Sequence, residues 1–291
     1  MICAHVVARA AHHLVVGLTA NHGPALTRDL LRHRKLPFVV VASVVRVGRW
    51  VYLGATLARG KVQLCGRLVV ELDGRRVENE IPGRQGRVLL AYLATNRLRT
   101  VTRDELVEAL WPTGRDGGLA PLLSKLRRVV PLDGFRPLID DLWVDVEAAG
   151  AALHRAESAL ALGDPGSAWA PSQVAMFVCG RPFLAAEDAP WIDEERGRLG
   201  ELYLRALEAY AGATLGVGGT ELTAAVRVGR KLVQLEPYRE SGYRILMDAL
   251  DREGNCAEAL LVYESLRAKL REDLGVTPSE PTQALHRRLL R

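Results

Sequence analysis

A cluster of cations on one short amphipathic stretch is the feature of this sequence best suited to binding an anion. Residues 122–130 read LLSKLRRVV. At 100° per residue, five aliphatic side chains fall within about 120° of one another and predict a buried face: Leu122, Leu123, Leu126, Val129 and Val130. Four polar or charged side chains occupy the opposite face: Ser124, Lys125, Arg127 and Arg128. Such a face can bind phosphates and base edges, although an ordinary solvated helix face has the same composition.

No catalytic or cofactor-binding motif accompanies this stretch. The sequence contains no P-loop, G-x-S-x-G, H-E-x-x-H or glycine-rich dinucleotide turn. Five of the seven histidines fall in residues 1–60, at spacings that match no familiar set of metal ligands: His5, His12, His13, His22 and His33. We therefore expect a protein that is not an enzyme and that has neither a cofactor nor a metal site.

Length and composition predict about two domains and a cytoplasmic location. The 291 residues are 48% hydrophobic, which is ample for a buried core. The longest apolar run, residues 36–58, is interrupted by Arg46 and Arg49, so no membrane span is expected, although binding at a membrane surface stays open. The four cysteines are far apart and no secretion signal precedes them, which favours a reducing compartment.

Charge is distributed unevenly along the chain. Residues 1–60 carry eight Lys or Arg against one acid, residues 61–145 carry 14 against 12, and residues 146–291 carry 17 against 21. A basic front and an acidic back are typical of a protein that touches an anionic partner at one end only. The alternative is a first segment that is basic without functional reason.

Residues 62–146 predict a small sheet followed by three helices, with two interpretations open for the last five residues. The alternating run after residue 62 turns at Asp73-Gly74, which predicts a hairpin. Helices are predicted over 83–96, 100–112 and about 118–130. Residues 142–146 are either a returning strand or the start of the next domain. Thr102 followed by Glu105 forms the pattern of a capping box.

The remainder of the chain, from about residue 146, predicts helices separated by Gly or Pro. A shift of 34 residues aligns four pairs of apolar positions: Ala225 with Ala259, Val226 with Leu260, Val228 with Val262, and Leu232 with Leu266. Thirty-four residues is the tetratricopeptide period. Stacked helix pairs of this kind present a concave surface to a partner.

Residues 62–130 resemble the DNA-binding domain of the antibiotic-regulatory-protein family of actinobacterial activators, a winged helix-turn-helix similar to that of response regulators. The resemblance is carried by GRLVVELDGRRVE, RQGRVLLAYLATN, TVTRDELVEALWP and LLSKLRRVV. The second half resembles the bacterial transcriptional activator domain of the same family, over residues 180–209 and 232–279. The resemblance covers about 230 of the 291 residues.

The resemblance implies a mainly α protein, with an OmpR-like winged helix (residues 61–145) followed by a tetratricopeptide-like helical domain (residues 146–291). Residues 1–60 match nothing in the family and stay unassigned, either as a disordered segment or as the product of a start codon placed too far upstream. The implied function is transcriptional regulation, with double-stranded DNA, RNA polymerase and a second copy of the chain as partners. DNA contacts are implied for Ser124, Lys125, Arg127 and Arg128, and for Arg103 near the start of the second helix.

Two departures from the family pattern leave a second interpretation open. Gly117, Gly118 and Pro121 predict that the third helix begins late, near Leu119, with Pro121 in its first turn. The wing, residues 131–142, is short and has three acids against one Arg, so we expect it to repel phosphate. The alternative is therefore a helical-repeat interaction scaffold whose degenerate winged helix no longer binds DNA.

Overall fold

The computed structural model describes residues 42–47, 50–55, 60–112, 118–137, 139 and 141–291. The chain divides into two compact units, Met1–Leu57 and Ala58–Arg291. In the first unit, strands β1 (Ala42–Val47) and β2 (Trp50–Ala55) pair antiparallel. The sequence pattern predicts no element there. The five histidines of this segment lie outside the described residues.

The second unit contains a four-stranded sheet formed by β3 (Gly60–Gln63), β4 (Val69–Leu72), β5 (Arg75–Arg76) and β8 (Leu142–Val144). The strands lie in the order β5–β4–β3–β8. Asp73 and Gly74 both adopt positive φ, 49° and 79°, as a two-residue turn that follows the strand twist requires. The hairpin predicted at Asp73-Gly74 is thereby confirmed. The fourth strand, β8, pairs parallel with β3.

Three helices follow the hairpin, as predicted: α1 (Gly83–Thr95), α2 (Arg103–Leu110) and α3 (Leu119–Leu126). Thr102 caps α2 by accepting a hydrogen bond from the Glu105 backbone N–H at 3.2 Å. The Glu105 carboxylate binds Arg99 instead, at 2.7 Å, so this half of the predicted capping box is replaced by an ion pair. Helix α2 ends at Leu110, two residues before Pro112, which lacks the N–H that a continuing helix needs.

Seven helices form the second half of the chain. They are α4 (Asp145–Ala161), α5 (Pro165–Cys179), α6 (Pro190–Val217), α7 (Leu222–Leu235), α8 (Glu240–Arg252), α9 (Cys256–Leu274) and α10 (Glu280–Leu289). Helices α7 and α9 begin 34 residues apart, at Leu222 and Cys256. Ala225, Ala259, Leu232 and Leu266 are all buried, with at most 1% exposure. The predicted repeat is therefore a structural one, in which α7 and α8 form one hairpin and α9 and α10 the next.

One hydrophobic core joins the winged helix to the first helices of the second half. It runs from the sheet and α1–α3 into α4, the end of α5 and the start of α6. Fully buried Asp145 accepts hydrogen bonds from the backbone N–H groups of Leu64 and Cys65, both at 2.9 Å. The Leu64 carbonyl in turn accepts from the Leu184 N–H at 3.0 Å. No helix among the described residues is both long enough and apolar enough to cross a bilayer.

A cluster of ion pairs also links the winged helix to the second half of the chain. Glu187 is only 3% exposed, and its carboxylate accepts from Arg87 Nε at 2.6 Å and from Arg84 Nε at 3.2 Å. Arg196 holds the loop that carries Glu187 by donating to the carbonyls of Phe183, Leu184 and Glu187 at 2.8–3.1 Å. These contacts connect α1 to the second half, so the two parts pack as one body.

Candidate nucleic-acid interface

Helix α3 buries one face and exposes the other, as its sequence pattern predicts. Leu119 and Leu126 are fully buried and Leu123 is 4% exposed. Ser124, Lys125, Arg127 and Arg128 are all exposed. The apolar face stays packed against the core because the burial of each leucine stabilises the fold by roughly 1.5–3 kcal/mol. The polar side is therefore held toward solvent.

The helix is shorter than the predicted span 118–130. Its last α-helical residue is Leu126, and Arg127 to Val130 continue as a tighter turn in which the Arg128 N–H binds the Lys125 carbonyl at 3.2 Å. The β-branched pair Val129 and Val130 has poorer helix propensity than Leu or Lys. Arg127 and Arg128 therefore lie on the turn that follows α3 and not within the helix.

The N-terminal end of α3 begins late, as Gly118 and Pro121 indicated. Gly118 is the N-cap at φ 106°, a left-handed conformation that costs glycine little. Pro121 lies in the first turn, where its missing N–H costs no hydrogen bond. The helix thus has only about two turns, and the four predicted DNA-contact residues lie in its C-terminal half and the following turn.

The wing is the short hairpin β6 (Leu132–Asp133) and β7 (Arg136–Pro137). Asp133 stands directly opposite Arg136 in the register, and both are exposed. Arg127 Nη2 donates to the Gly134 carbonyl at the tip of this hairpin at 3.0 Å. This hydrogen bond joins the wing to the end of α3. Because a guanidinium has five N–H donors, Arg127 retains donors for another acceptor.

Arg103 is the first residue of α2 and is exposed. Helix N-termini attract anions, but the first turn of α2 also carries Asp104 and Glu105, and Thr102 already accepts from the Glu105 N–H. Arg103 therefore lies on α2, on a different element from Ser124, Lys125, Arg127 and Arg128.

A crevice of about 340 Å³ lies between the end of α1 and the wing, and the sequence does not predict it. Its lining includes three cations, Arg97, Arg99 and Arg136. Two of them are already paired: Arg97 binds Glu147 at 2.7 Å and Arg99 binds Glu105 at 2.7 Å. The hydrogen bond to Glu105 raises the pKa of Arg99. An anion entering here would compete with those carboxylates, so these arginines are weaker candidates than the α3 set. The sequence feature that could have indicated this crevice is the pair of arginines in NRLR, residues 96–99.

Comparisons with known proteins agree with this architecture. The family model for the bacterial transcriptional activator domain matches residues 144–290. The regulatory protein AfsR of Streptomyces griseus is 32% identical over 223 residues, which cover 71% of this chain and 22% of AfsR. The transcriptional regulatory protein EmbR of Mycobacterium tuberculosis is 28% identical over 246 residues, or 78% of this chain and 62% of EmbR.

A solved structure shares the fold. The structure of Mycobacterium tuberculosis EmbR in complex with a low-affinity phosphopeptide aligns with a TM-score of 0.68 at 26% identity, covering 80% of this chain and 65% of that one. The chain therefore spans about a fifth of AfsR and just under two thirds of EmbR. With a small sheet, three helices and a wing leading into a helical-repeat domain, the chain belongs to the antibiotic-regulatory-protein-like family defined by the bacterial transcriptional activator domain.

Proposed function

We propose that this chain is a DNA-binding transcriptional regulator, and specifically an activator, that binds promoter repeats through its winged helix. The observation that carries the proposal is the exposed set Ser124, Lys125, Arg127 and Arg128, on α3 and the turn that follows it, whose opposite face is buried in the core. The regulatory functions in the names of AfsR and EmbR support the same class.

In this proposal the end of α3 enters the major groove, as the third helix of a winged helix-turn-helix does. Lys125 and Ser124 bind phosphates, while Arg127 and Arg128 reach base edges or the adjacent backbone. Arg103 contacts the backbone from the start of α2. The short helix and the Asp133 carboxylate in the wing both limit affinity, so binding depends strongly on these few cations.

The helical half supplies the protein partners in this proposal. We assign residues 61–145 to the winged helix and 146–291 to the activator domain, and leave 1–60 unassigned; the family match at 144–290 supports the second boundary. Stacked helical hairpins present surfaces that suit RNA polymerase or a second copy of the chain. A cytoplasmic location follows from the need to reach the bacterial chromosome.

An interaction scaffold without DNA binding is the second candidate. It is favoured by the wing, where Asp133 faces Arg136 and offsets its charge. A gel-shift assay separates the two candidates, with the promoter region of the protein's own gene as probe and mixed-sequence DNA as competitor. Regulation through DNA predicts a shifted band at low salt that weakens at moderate salt. No band at either salt concentration would favour the scaffold.

A further inference from the structure

Helix α5 lacks the charges expected of a surface helix. A quarter of the chain is Asp, Glu, Lys or Arg, yet the 15 residues PGSAWAPSQVAMFVC contain none of the four. Among described helices of ten residues or more, it is the one without a charged side chain. A helix that is uncharged on all sides is normally covered on all sides.

One side of α5 is nevertheless open. It packs against α4 and α6 through Ala168, Ser172 and Ala175, which are fully buried. On the other side, Ala170, Val174 and Phe177 fall within about 60° of one another and all are exposed, Val174 by 46% and Phe177 by 49%. Exposed apolar stripes of this kind mark protein interfaces.

The open stripe is arranged to fit a second copy of itself. Its N-terminal part carries small residues, Gly166, Ser167 and Ala170, and its C-terminal part carries the large Val174 and Phe177. If two copies pair antiparallel about a two-fold axis near residue 172, Phe177 of one lies over Gly166 of the other, and Val174 lies over Ala170. Each large side chain then meets a small one, as an isologous interface requires.

Charge supports the same arrangement. The nearest charged residues in sequence are Asp164, just before α5, and Arg181, two residues after it. Both are exposed. Antiparallel pairing brings each aspartate toward the partner's arginine, whereas parallel pairing would place like charges together. The uncharged stripe itself contributes no repulsion.

We propose that the exposed stripe of α5 is a homodimer interface in which two copies pack antiparallel with Phe177 opposite Gly166. This inference rests on the homodimer of the proposed function and names its surface. It is tested without DNA, so its failure would leave the DNA-binding proposal standing.

Sedimentation of the full-length chain over a range of micromolar concentrations measures the dimer. Phe177→Glu places a charge at both ends of the interface and should weaken dimerisation by at least 30-fold, since loss of an interface anchor costs about 2 kcal/mol or more. Gly166→Leu fills the opposing space while favouring the helix, so it separates loss of pairing from loss of folding. Leu261→Glu, on α9 and 70% exposed, is the matched control and should dimerise normally.

Cysteine cross-linking tests the direction of pairing. A mixture of Phe177→Cys and Gly166→Cys chains should form a cross-linked dimer on mild oxidation. Phe177→Cys chains alone should give no more cross-linked dimer than the unsubstituted chain gives. The native Cys179 thiol gives little background because burial raises its pKa to about 11. A wild-type monomer, a dimer unaffected by both substitutions, or efficient Phe177→Cys self-linking would each overturn the proposal.

Discussion

Removing Arg127 and Arg128 together is the most direct perturbation of the proposed DNA surface. Both side chains are exposed, and within the described part of the chain Arg127, unlike Arg128, has a side-chain hydrogen bond to another element, to the Gly134 carbonyl. Arg127→Ala with Arg128→Ala should therefore cost the fold no more than about 1 kcal/mol. The thermal midpoint should fall by a few degrees at most.

The loss of DNA affinity should be much larger. An arginine that reads a base contributes about 1–3 kcal/mol, so the pair contributes roughly 2–6 kcal/mol, or about 30-fold to more than 10⁴-fold per bound protomer. If both arginines contact phosphates instead of bases, the salt dependence of the DNA affinity should become weaker when they are removed. Four cations, Lys125, Arg127, Arg128 and Arg103, predict a slope of log K against log salt near −3.6 per protomer, and removing two leaves about −1.8.

Fluorescence anisotropy with a labelled promoter fragment, at several salt concentrations, measures both quantities. The matched control is Arg267→Ala with Arg271→Ala on α9, which removes the same charge from side chains that are 51% and 70% exposed. The control should bind as the wild type does. Wild-type affinity and an unchanged salt slope in the α3 variant would exclude this surface as the DNA contact.

Four further substitutions test the wing, the cap and the junction. Asp133→Asn should tighten DNA binding about two- to fivefold in the same anisotropy assay, and unchanged affinity would mean that the wing lies away from the phosphates. Thr102→Ala should lower the free energy of unfolding, measured in urea, by about 1 kcal/mol. An unchanged urea midpoint would show that the cap adds no stability. Glu187→Gln should cost about 1–2 kcal/mol in the same measurement, because its arginine partners are partly solvated, and a neutral effect would show that the cluster adds no stability. Asp145→Asn should cost about 1–3 kcal/mol, since an amide cannot accept from both backbone N–H groups with separate oxygens. Burial raises the pKa of Asp145, so the wild type should lose stability as pH rises from about 4 through that raised value; the variant should lack this component, and identical pH profiles would contradict it.

The local features of this fold are those that short sequence patterns determine. The Asp73-Gly74 turn, the Thr102 cap and the late start of α3 at Gly118 each depend on the backbone preference or short side chain of one or two residues. The 34-residue repeat was visible because both hairpins bury small and large residues at equivalent positions, Ala225 and Ala259 among them.

The features that were missed depend on contacts between distant parts of the chain. Asp145 lies within residues 142–146, where the sequence suggests a strand, and nothing in that pattern indicates its hydrogen bonds to Leu64 and Cys65, some 80 residues earlier. The end of α3 at Leu126 and the bond from Arg127 to the wing tip likewise depend on tertiary packing that periodicity does not report. The sequence does not predict the hairpin of β1 and β2 because Arg46 and Arg49 interrupt the apolar run without forming a turn signal.

The continuous core has a consequence for how DNA binding and dimerisation are related. Residues of α3, including Leu123, and residues of α5, including Val178, belong to one hydrophobic cluster. Asp145 and Glu187 add buried hydrogen bonds across the same junction. Because these contacts hold the two parts as one body, the position of α3 relative to the proposed stripe on α5 is set by the fold and not by a flexible linker. Two copies paired through α5 would therefore present their α3 helices at a fixed separation, and promoter repeats would have to match that separation on one face of the duplex. In such a dimer the helical half would determine the spacing of the repeats, while the few cations at the end of α3 would determine their sequence.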